Sequence, residues 1–391
     1  MSDADAPLTP TRPPVAVSLA AFVSSFDRFA VSPLLVLVAA DLGVSLSQAL
    51  VIASAYFLAY GVSQPVWGIL SDRVGRIRLM RLALVAAAVV GVVAALAPTL
   101  TVLIIARTLG GAFYGAIVPT SLTYVGDTVD EDHRQSALAD LMAAIALGTA
   151  LATALAGILA DVVDWRVAFA VPAALAVLSV IGLSRVPESH RESRTGILQT
   201  LRTALGDRWV RVVIVLVFVE GAAVLGVLTL LAPALQSLGV GAAVAGLATA
   251  AYGVGVIVTT RMVRPLSRRL PMPGLMVIGG SATVLAFVLL TLRLSIATVI
   301  IAAFLLGATW SFLHSSLQTW STSVLPQVRG TVVSLFAGFL FAGSALGAWA
   351  GGVLGDHGEW TLLFAITAVL ALVLTVAVVL SRRAYERPRR A

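Results

Sequence analysis

Two adjacent charged residues, Asp27 and Arg28, lie in the middle of an apolar stretch that runs from about Val15 to Ala40. An ionised side chain at the centre of a bilayer costs about 3 kcal/mol or more unless it is paired or faces water. Such residues mark either a functional site or a polar contact between helices. Neighbouring positions on a helix point about 100° apart, so we expect Asp27 to face a cavity and Arg28 to bond to another helix.

Two further apolar stretches each carry one deep charge, Arg107 and Glu220. We expect Asp27 to pair with Arg107, and Glu220 to be the corresponding acid in the second half of the chain. A carboxylate that is both desolvated and close to an arginine is balanced between its two protonation states. These acids are therefore candidates for carrying a proton across a membrane.

Polar and aromatic residues in the same stretches could form the wall of a cavity. Trp310, His314 and Gln318 are spaced by four and share one helix face, and Tyr114 adds a further hydroxyl. By itself, His314 is interpreted as a residue that bonds two helices rather than as a proton carrier. Together these side chains predict a site for a small-molecule substrate.

The totals indicate a membrane protein. Of 391 residues, 59% are hydrophobic and 12% are charged, and the mean hydropathy is +1.00, which is too apolar for a soluble domain. There is no cysteine. No His-Glu-x-x-His, Gly-x-Ser-x-Gly, phosphate-binding loop or cluster of metal ligands occurs. We therefore expect no enzyme activity, no metal and no cofactor, and an ion gradient as the source of energy.

Segments of about 20 apolar residues can span a bilayer as helices, and twelve such segments occur. They run approximately from Val15 to Ala40, Gln48 to Leu70, Leu79 to Ala97, Thr101 to Tyr124, Ala137 to Ala160, Arg166 to Leu183, Val212 to Leu235, Gly241 to Thr260, Gly274 to Leu292, Ile296 to Trp320, Thr331 to Leu354 and Thr361 to Leu380. The sequence thus predicts an all-α protein that crosses the membrane many times.

Arginines cluster in alternate loops and in the C-terminal tail, for example Arg73, Arg76, Arg264 and Arg268. An excess of arginine marks cytoplasmic loops, and an even number of spans places both termini on one side. We expect both termini to be cytoplasmic, in the plasma membrane. The net charge of +7 then reflects topology and contact with anionic lipids rather than nucleic-acid binding.

The two halves of the chain resemble each other. A shift of 195 residues superposes six pairs of identical residues: Arg134 and Arg329, Gly148 and Gly343, Gly157 and Gly352, Asp161 and Asp356, Trp165 and Trp360, and Phe169 and Phe364. An internal duplication of six helices explains this, and such repeats place the substrate site at their interface. The expected organisation is a tail (1–14), a six-helix bundle (15–184), a linker (185–211) containing a short surface helix near Ile197, a second six-helix bundle (212–380) and a basic tail (381–391).

The loop after the second span reads Gly68-Ile-Leu-Ser-Asp72-Arg73-Val-Gly75-Arg76. It resembles the signature loop of the major facilitator superfamily of transporters, and Arg107-Thr-Leu-Gly110-Gly111 and Asp161-Val-Val-Asp-Trp165-Arg166 resemble other motifs of that family. The resemblance implies the major facilitator fold and a cytoplasmic gate. Its members are Gly68, Asp72, Arg73, Gly75 and Arg76.

Each gate residue also has a physical role. Gly68 permits close helix approach, Gly75 permits a tight turn, and Asp72 is an anion suited to a neighbouring helix N-terminus. The arginines need carboxylate partners, for which we propose Asp127. By resemblance, this cluster holds the inner gate shut when the protein faces outward.

Glycines in the fifth and eleventh spans are expected to let helices pack closely. They are Gly148, Gly157, Gly343 and Gly347. Exporters of the superfamily often carry Gly-Pro in the fifth span, and this chain lacks the proline.

The resemblance implies a secondary transporter. We expect proton-coupled efflux of small amphipathic, drug-like compounds by alternating access, in a protein that works as a monomer. Proton-coupled transport of a sugar or an organic acid, with Arg28 and Arg107 binding a carboxylate, is the alternative, and a lipid flippase is a third. The resemblance covers nearly the whole chain.

Overall fold

The computed structural model describes residues 11–189 and 197–386, which form helices and no strand. Within these residues, 12 helical segments are long and apolar enough to span a membrane. They are α1 (Val15–Leu42), α2 (Leu46–Val74), α3 (Arg76–Ala95), α4 (Leu100–Thr128), α5 (Glu131–Val162), α6 (Trp165–Leu183), α7 (Arg208–Gln236), α8 (Ala242–Ser267), α9 (Met272–Leu292), α10 (Ile296–Val324), α11 (Pro326–Asp356) and α12 (Trp360–Glu386). The predicted number of spans is therefore confirmed.

Several helices extend beyond their apolar stretches. The helix α5 begins at Glu131 rather than Ala137, and α12 continues to Glu386. The helix α7 begins at Arg208, inside the predicted linker, because the side chain of Asp207 accepts hydrogen bonds from the first backbone N–H groups of that helix. Apolar length is limited by the bilayer, whereas a helix continues until its backbone groups are capped. The predicted boundaries were consequently too short at the ends that carry charge.

The six helices of each half pack in the same arrangement. In the first half α1 packs on α5, α2 on α4, and α3 on α6; in the second half α7 packs on α11, α8 on α10, and α9 on α12. The two halves meet through α2 with α11 and through α5 with α8. The shift of 195 residues maps each of these helix pairs onto an equivalent pair, as the repeated residues predict.

The expected helix of the linker is present as Ile197–Gly206. It packs on the second half, where Ala204 lies against Val210, Ile214 and Val332. The side chains of Ile197 and Leu198, and residues 190–196 of the linker, lie outside the described residues.

The four glycines predicted to mediate helix packing all lie at helix crossings. A Cβ atom on Gly148 would overlap the backbone of Phe22 on α1. Gly343 and Gly347 lie in the same way against α7, and Gly157 lies against Ala242 at the start of α8. Close backbone approach at such crossings is favourable because it extends van der Waals contact where lipid supplies no hydrophobic driving force. Gly157 therefore fixes a contact between the halves, and the other three fix contacts within a half.

The face of the protein at which α1 begins and α12 ends is termed the inner face, and the opposite face is termed the outer face. At the outer face, Asp161 at the end of α5 accepts hydrogen bonds from Ala242 N (3.1 Å) and Ala243 N (2.7 Å) at the start of α8. Asp356 at the end of α11 accepts one from Ser47 N (3.0 Å) at the start of α2. The shift of 195 residues converts one contact into the other.

The helices α1 and α7 also meet in the outer half of the molecule. Ser32 donates a hydrogen bond to the carbonyl of Thr229 (2.8 Å), and the amide of Gln236 donates one to the carbonyl of Pro33 (2.8 Å). Within the described residues, every hydrogen bond between the halves is one of these α1–α7 contacts or one of the two aspartate contacts. The structure therefore shows a state that is closed at the outer face.

Candidate functional site

The first half buries one ion pair in its middle. Arg107 on α4 donates from Nη1 to Asp27 Oδ1 on α1 (2.7 Å) and from Nη2 to the backbone carbonyl of Asp27 (3.0 Å). Both side chains are almost fully buried. The rings of Tyr56 and Phe169 lie 4.4 and 4.9 Å from the guanidinium carbon. The predicted pairing of Asp27 with Arg107 is thus present.

Tyr114 lies in the same bundle and does not line the central cavity. Its hydroxyl donates to the carbonyl of Pro172 (3.3 Å), and its own carbonyl accepts from Ser24 (3.1 Å). These contacts tie α4 to α6 and α1. Tyr114 therefore supports the helix that carries Arg107.

The second half buries a different pair. Nδ1 of His314 on α10 lies 3.2 Å from Oε2 of Glu220 on α7, and both side chains are almost fully buried. Glu220 directly precedes a π-helical segment (Gly221–Gly226), and His314 ends another (Trp310–His314). The imidazole stacks on Trp310, with ring centres 3.6 Å apart. Segments of π-helix are frequent at functional sites, and here two of them turn the acid and the base toward each other.

A small central cavity lies between the halves, formed by α1, α5, α7 and α8. The polar residues of its lining are Arg28, Ser32, Thr149, Thr153, Thr229, Thr249 and Tyr252. We expected Asp27 to face the cavity and Arg28 to bond to another helix, and this orientation is wrong. Arg28 faces the cavity, while Asp27 points into the first bundle toward Arg107. The choice depended on which face of α1 packs on α4 and α5, which the sequence of α1 alone does not reveal.

Other residues predicted for the cavity wall lie elsewhere. Gln318 is exposed, although Trp310 and His314 do share a face. Asp27, Arg107, Glu220 and His314 lie within the two bundles and not among the cavity-lining residues. Conversely, Thr153 and Tyr252 line the cavity without having been predicted, and no spacing or motif in the sequence distinguishes them from other polar residues in spans.

The predicted gate residues gather at the inner face of the first half. Nη1 of Arg76 donates to Ser71 Oγ (2.7 Å) and to the carboxylate of Asp72, and its Nε donates to Asp127 Oδ2 (3.5 Å). The predicted contact of Asp127 with the arginines is thus present for Arg76. These residues lie on α2, α3 and α4, so the cluster belongs wholly to the first half.

The carboxylate at the N-terminus of α3 is not the one expected. Glu188, which follows α6, accepts hydrogen bonds from Ile77 N and Arg78 N, both 2.9 Å. Gly75 has a φ of +104°, and a Cβ atom there would meet this carboxylate. No pattern in the sequence singled out Glu188, because it is a single acid in a stretch assigned to the linker. Asp72 instead pairs with Arg76.

The remaining gate residues make fewer contacts. Gly68 has open space around its Cα, so it does not mediate a close helix contact in this state. Arg73 lies in the last turn of α2 and forms no ion pair with a described residue.

Comparison with known proteins decides the family. The model of the Major Facilitator Superfamily matches residues 17–337 and 213–391. The chain belongs to the major facilitator superfamily. As a superfamily transporter it is not an enzyme, and its many spans make it a multi-pass membrane protein. Within the described residues, no group of three or more histidine, aspartate or glutamate side chains could hold a metal ion.

Three superfamily relatives illustrate the range of similarity. The uncharacterized transporter YfhI of Bacillus subtilis is 26% identical over 93% of this chain and 92% of its own length. A triacylglyceride transporter of Mycolicibacterium smegmatis is 32% identical, but the match spans 42% of this chain and 30% of that protein. The multidrug efflux pump LfrA of the same organism is 31% identical over 46% of this chain and 37% of that protein.

Solved structures of the superfamily share the fold. The nucleoside transporter NupG superposes with a TM-score of 0.77 at 15% sequence identity, covering 93% of this chain and 99% of that one. This similarity concerns the arrangement of the 12 spans. The fold class predicted from the sequence, two pseudo-symmetric six-helix bundles, is confirmed.

Proposed function

We propose that the protein exports small amphipathic compounds in exchange for protons, by alternating access between its two halves. The observation that carries this proposal is the buried Glu220–His314 pair, with 3.2 Å between Nδ1 and Oε2. Histidine changes its charge near physiological pH, and a carboxylate at hydrogen-bond distance lets the pair gain or lose one proton without losing its contact. A buried unit of this kind is suited to carry a proton.

The Asp27–Arg107 pair is less suited to that task. A guanidinium remains protonated in proteins, so protonating Asp27 would leave Arg107 as an unpaired buried charge, which is strongly unfavourable. We therefore assign proton coupling to Glu220 and His314, and a structural role to Asp27 and Arg107. This differs from the role that the sequence suggested for His314.

The contacts between the halves fit a rocking motion. All hydrogen bonds between the halves in the described part of the chain lie in the outer half of the molecule. Opening the outer face requires these few bonds to break, and the inner ends of α2 and α11 would then approach each other. Superfamily folds of this symmetry move as two bundles about a central site.

One of the named relatives supports export. One is a multidrug efflux pump and another is a triacylglyceride transporter, although each matches less than half of this chain. A proton that enters down about 100 mV supplies roughly 2.3 kcal/mol, so we propose the proton gradient as the energy source, without a cofactor. We also propose that the protein is a monomer in the cytoplasmic membrane, with both termini inside and anionic lipids at the inner face.

Symport of an organic acid is the second candidate. It is favoured by Arg28, a cation that lines the central cavity and could bind a carboxylate. The two functions differ in the direction of proton movement relative to the substrate. Handling of a lipid is a third possibility, for which the triacylglyceride transporter is the relevant relative.

The test uses proteoliposomes that contain a pH-sensitive dye, to which amphipathic cations, organic anions and sugars are added in turn. Export by exchange predicts proton movement opposite to the substrate in wild-type vesicles and none in empty ones. Proton movement with the substrate would establish symport instead. Substrate transport without any proton movement would contradict both forms of proton coupling.

A further inference from the structure

In the middle of the protein, Arg28 is a cation that has no anionic partner among the described residues. Its guanidinium carbon lies 4.9 Å from the ring centre of Phe29, 5.1 Å from that of Tyr60 and 5.4 Å from that of Phe341. Its one hydrogen bond, from Nη2 to Ser25 Oγ, is long at 3.5 Å. Its Nε is buried and has no partner among the described residues. Most of the donors of this side chain are therefore free.

The aromatic surroundings come from both halves. Phe29 and Tyr60 lie on α1 and α2, whereas Phe341 lies on α11, and Tyr252 on α8 packs against Phe29 with ring centres 5.9 Å apart. Aromatic faces stabilise a guanidinium partly, but they supply no negative charge. Arg28 consequently sits at the junction of the two halves with its charge uncompensated by any described ion pair.

A second unpartnered donor lines the same cavity. The hydroxyl of Thr153 on α5 is buried and has no hydrogen-bond partner among the described residues, and only 6% of the residue is exposed. A buried hydroxyl without a partner is uncommon in native structures. Thr153 and Arg28 thus present two unsatisfied donors to one cavity.

The acids near this cavity are already engaged. Asp27 bonds to Arg107, and Glu220 lies against His314. Neither carboxylate is among the residues that line the cavity, although both Arg28 and Glu220 lie within electrostatic range of Tyr252. A cationic ligand in the cavity would meet Arg28 first and would find no described carboxylate in the lining.

We propose that this cavity binds the anionic head group of an amphipathic organic acid. Arg28 and Thr153 bind the head group, because a guanidinium and a hydroxyl can donate together to the oxygens of a carboxylate or a sulfonate. The aromatic rings of both halves hold the apolar body. This inference names the substrate class of the export proposed above and rests on that function.

The site forms fully as the halves separate. In the outer-closed state the cavity measures about 10 Å³, which holds roughly one water molecule. Because Phe341 belongs to the second half and Phe29 and Tyr60 to the first, rocking of the halves opens the space around Arg28. A bound anion would therefore contact elements of both halves at once.

The experiment measures binding by isothermal titration calorimetry to the full chain in nanodiscs. The probes share one apolar body and differ in charge: naphthaleneacetate, naphthalenesulfonate, the neutral naphthaleneacetamide and the cation naphthylmethylamine. We expect both anions to bind at least about tenfold more tightly than the amide or the amine. Arg28→Gln should weaken anion binding about 10- to 100-fold, as loss of a charge-assisted hydrogen bond predicts, and Thr153→Val about 2- to 10-fold.

The matched control is Arg293→Gln, which removes an exposed arginine between α9 and α10 and should leave anion binding unchanged. Tighter binding of the amine, equal binding by Arg28→Gln and wild type, or failure of both anions to bind would overturn the proposal. If Arg28→Gln does not fold, the wild-type preference for anion over amide and the Thr153→Val variant decide. Anion binding without proton movement would uphold this site while contradicting proton-coupled export.

Discussion

Asp27 and Glu220 are both buried carboxylates, yet their partners give them different chemistry. Asp27 bonds twice to an arginine, whereas Glu220 faces a histidine. Breaking the arginine pair would leave a buried charge without a partner. In the function proposed above, the histidine pair exchanges a proton. The proposed division, with a structural role in the first half and proton transfer in the second, follows from the partner residue.

Replacing Asp27 by asparagine is expected to destabilise the protein strongly. The substitution leaves Arg107 buried with a charge that nothing neutralises, which costs about 3–5 kcal/mol. A lower melting temperature of the protein in nanodiscs is the expected result.

The control for this prediction is the double variant Asp27→Asn with Arg107→Met. It removes the stranded charge and should recover much of the melting temperature, since replacing both members of a buried pair is often tolerated. If the double variant were no more stable than Asp27→Asn, the ion pair would not be the cause of the loss.

For single residues, the sequence predicted which charged side chains pair more accurately than it predicted the direction in which each side chain points. The pairing of Asp27 with Arg107, and of Arg76 with Asp127, followed from the need of buried charges for partners. Which of Asp27 and Arg28 faces the cavity, and which faces the bundle, depends on how α1 is rotated in its bundle. Glu220 and His314 adjoin two π-helical segments, which shift the spacing of side chains along a helix, and no residue pattern in the sequence predicted these segments.

Small residues determine how closely the helices approach. Gly157 lies where α5 crosses α8, and a Cβ atom there would overlap the carbonyl of Ala242. The crossing joins the two halves. A change at this position therefore acts on the outer-closed state rather than on one bundle alone.

The variant Gly157→Ala is expected to lower the melting temperature, because added volume at a tight crossing costs about 1–3 kcal/mol. Gly126→Ala on α4 is the matched control, since a Cβ atom there meets nothing within 4 Å and alanine favours a helix by roughly 0.5–1 kcal/mol. Equal losses in the two variants would contradict the assigned crossing. The measurement is the melting temperature of each variant, determined by thermal unfolding in nanodiscs.

The elements themselves were largely predictable. Apolar length fixed the number of spans, and the repeated residues fixed their grouping into two sets. The ends of α5, α7 and α12 were missed because charged turns continue a helix beyond the bilayer. Glu188 was missed because its partners, the N–H groups of Ile77 and Arg78, lie far away in the sequence.

Two equivalent carboxylates contribute to closing the whole molecule at its outer face, together with the α1–α7 hydrogen bonds. Asp161 receives the N-terminus of α8, and Asp356 receives that of α2. Negative charge at a helix N-terminus is stabilising. Because each contact joins the two halves, the two duplicated aspartates stabilise the outer-closed state at equivalent positions.

Asp161→Ala and Asp356→Ala are each expected to favour the outer-open state by about 0.5–2 kcal/mol, the usual effect of losing a helix cap. The measurement is the distance distribution between spin labels on Leu96→Cys and Leu292→Cys, at exposed outer positions of the two halves. The chain has no native cysteine, so only these sites are labelled. Longer distances should gain population.

The control is Asp164→Ala. Asp164 is also an outer carboxylate that caps a helix, but it accepts its hydrogen bond from Arg166 N, which lies in the same half. This variant should leave the label distances unchanged. A shift of the same size in Asp164→Ala would mean that surface charge, rather than the contact between halves, controls the outer face.

Proton-coupled export by two alternating halves is tested most directly by comparing two kinds of transport in Glu220→Gln. The compound is the tightest binder among the cations, anions and sugars tried on wild type, in proteoliposomes. We predict that Glu220→Gln still exchanges labelled for unlabelled compound across the membrane at near wild-type rate, while a pH gradient no longer drives accumulation, with a loss of at least about tenfold. Gradient-driven accumulation at the wild-type level in this variant would contradict the account.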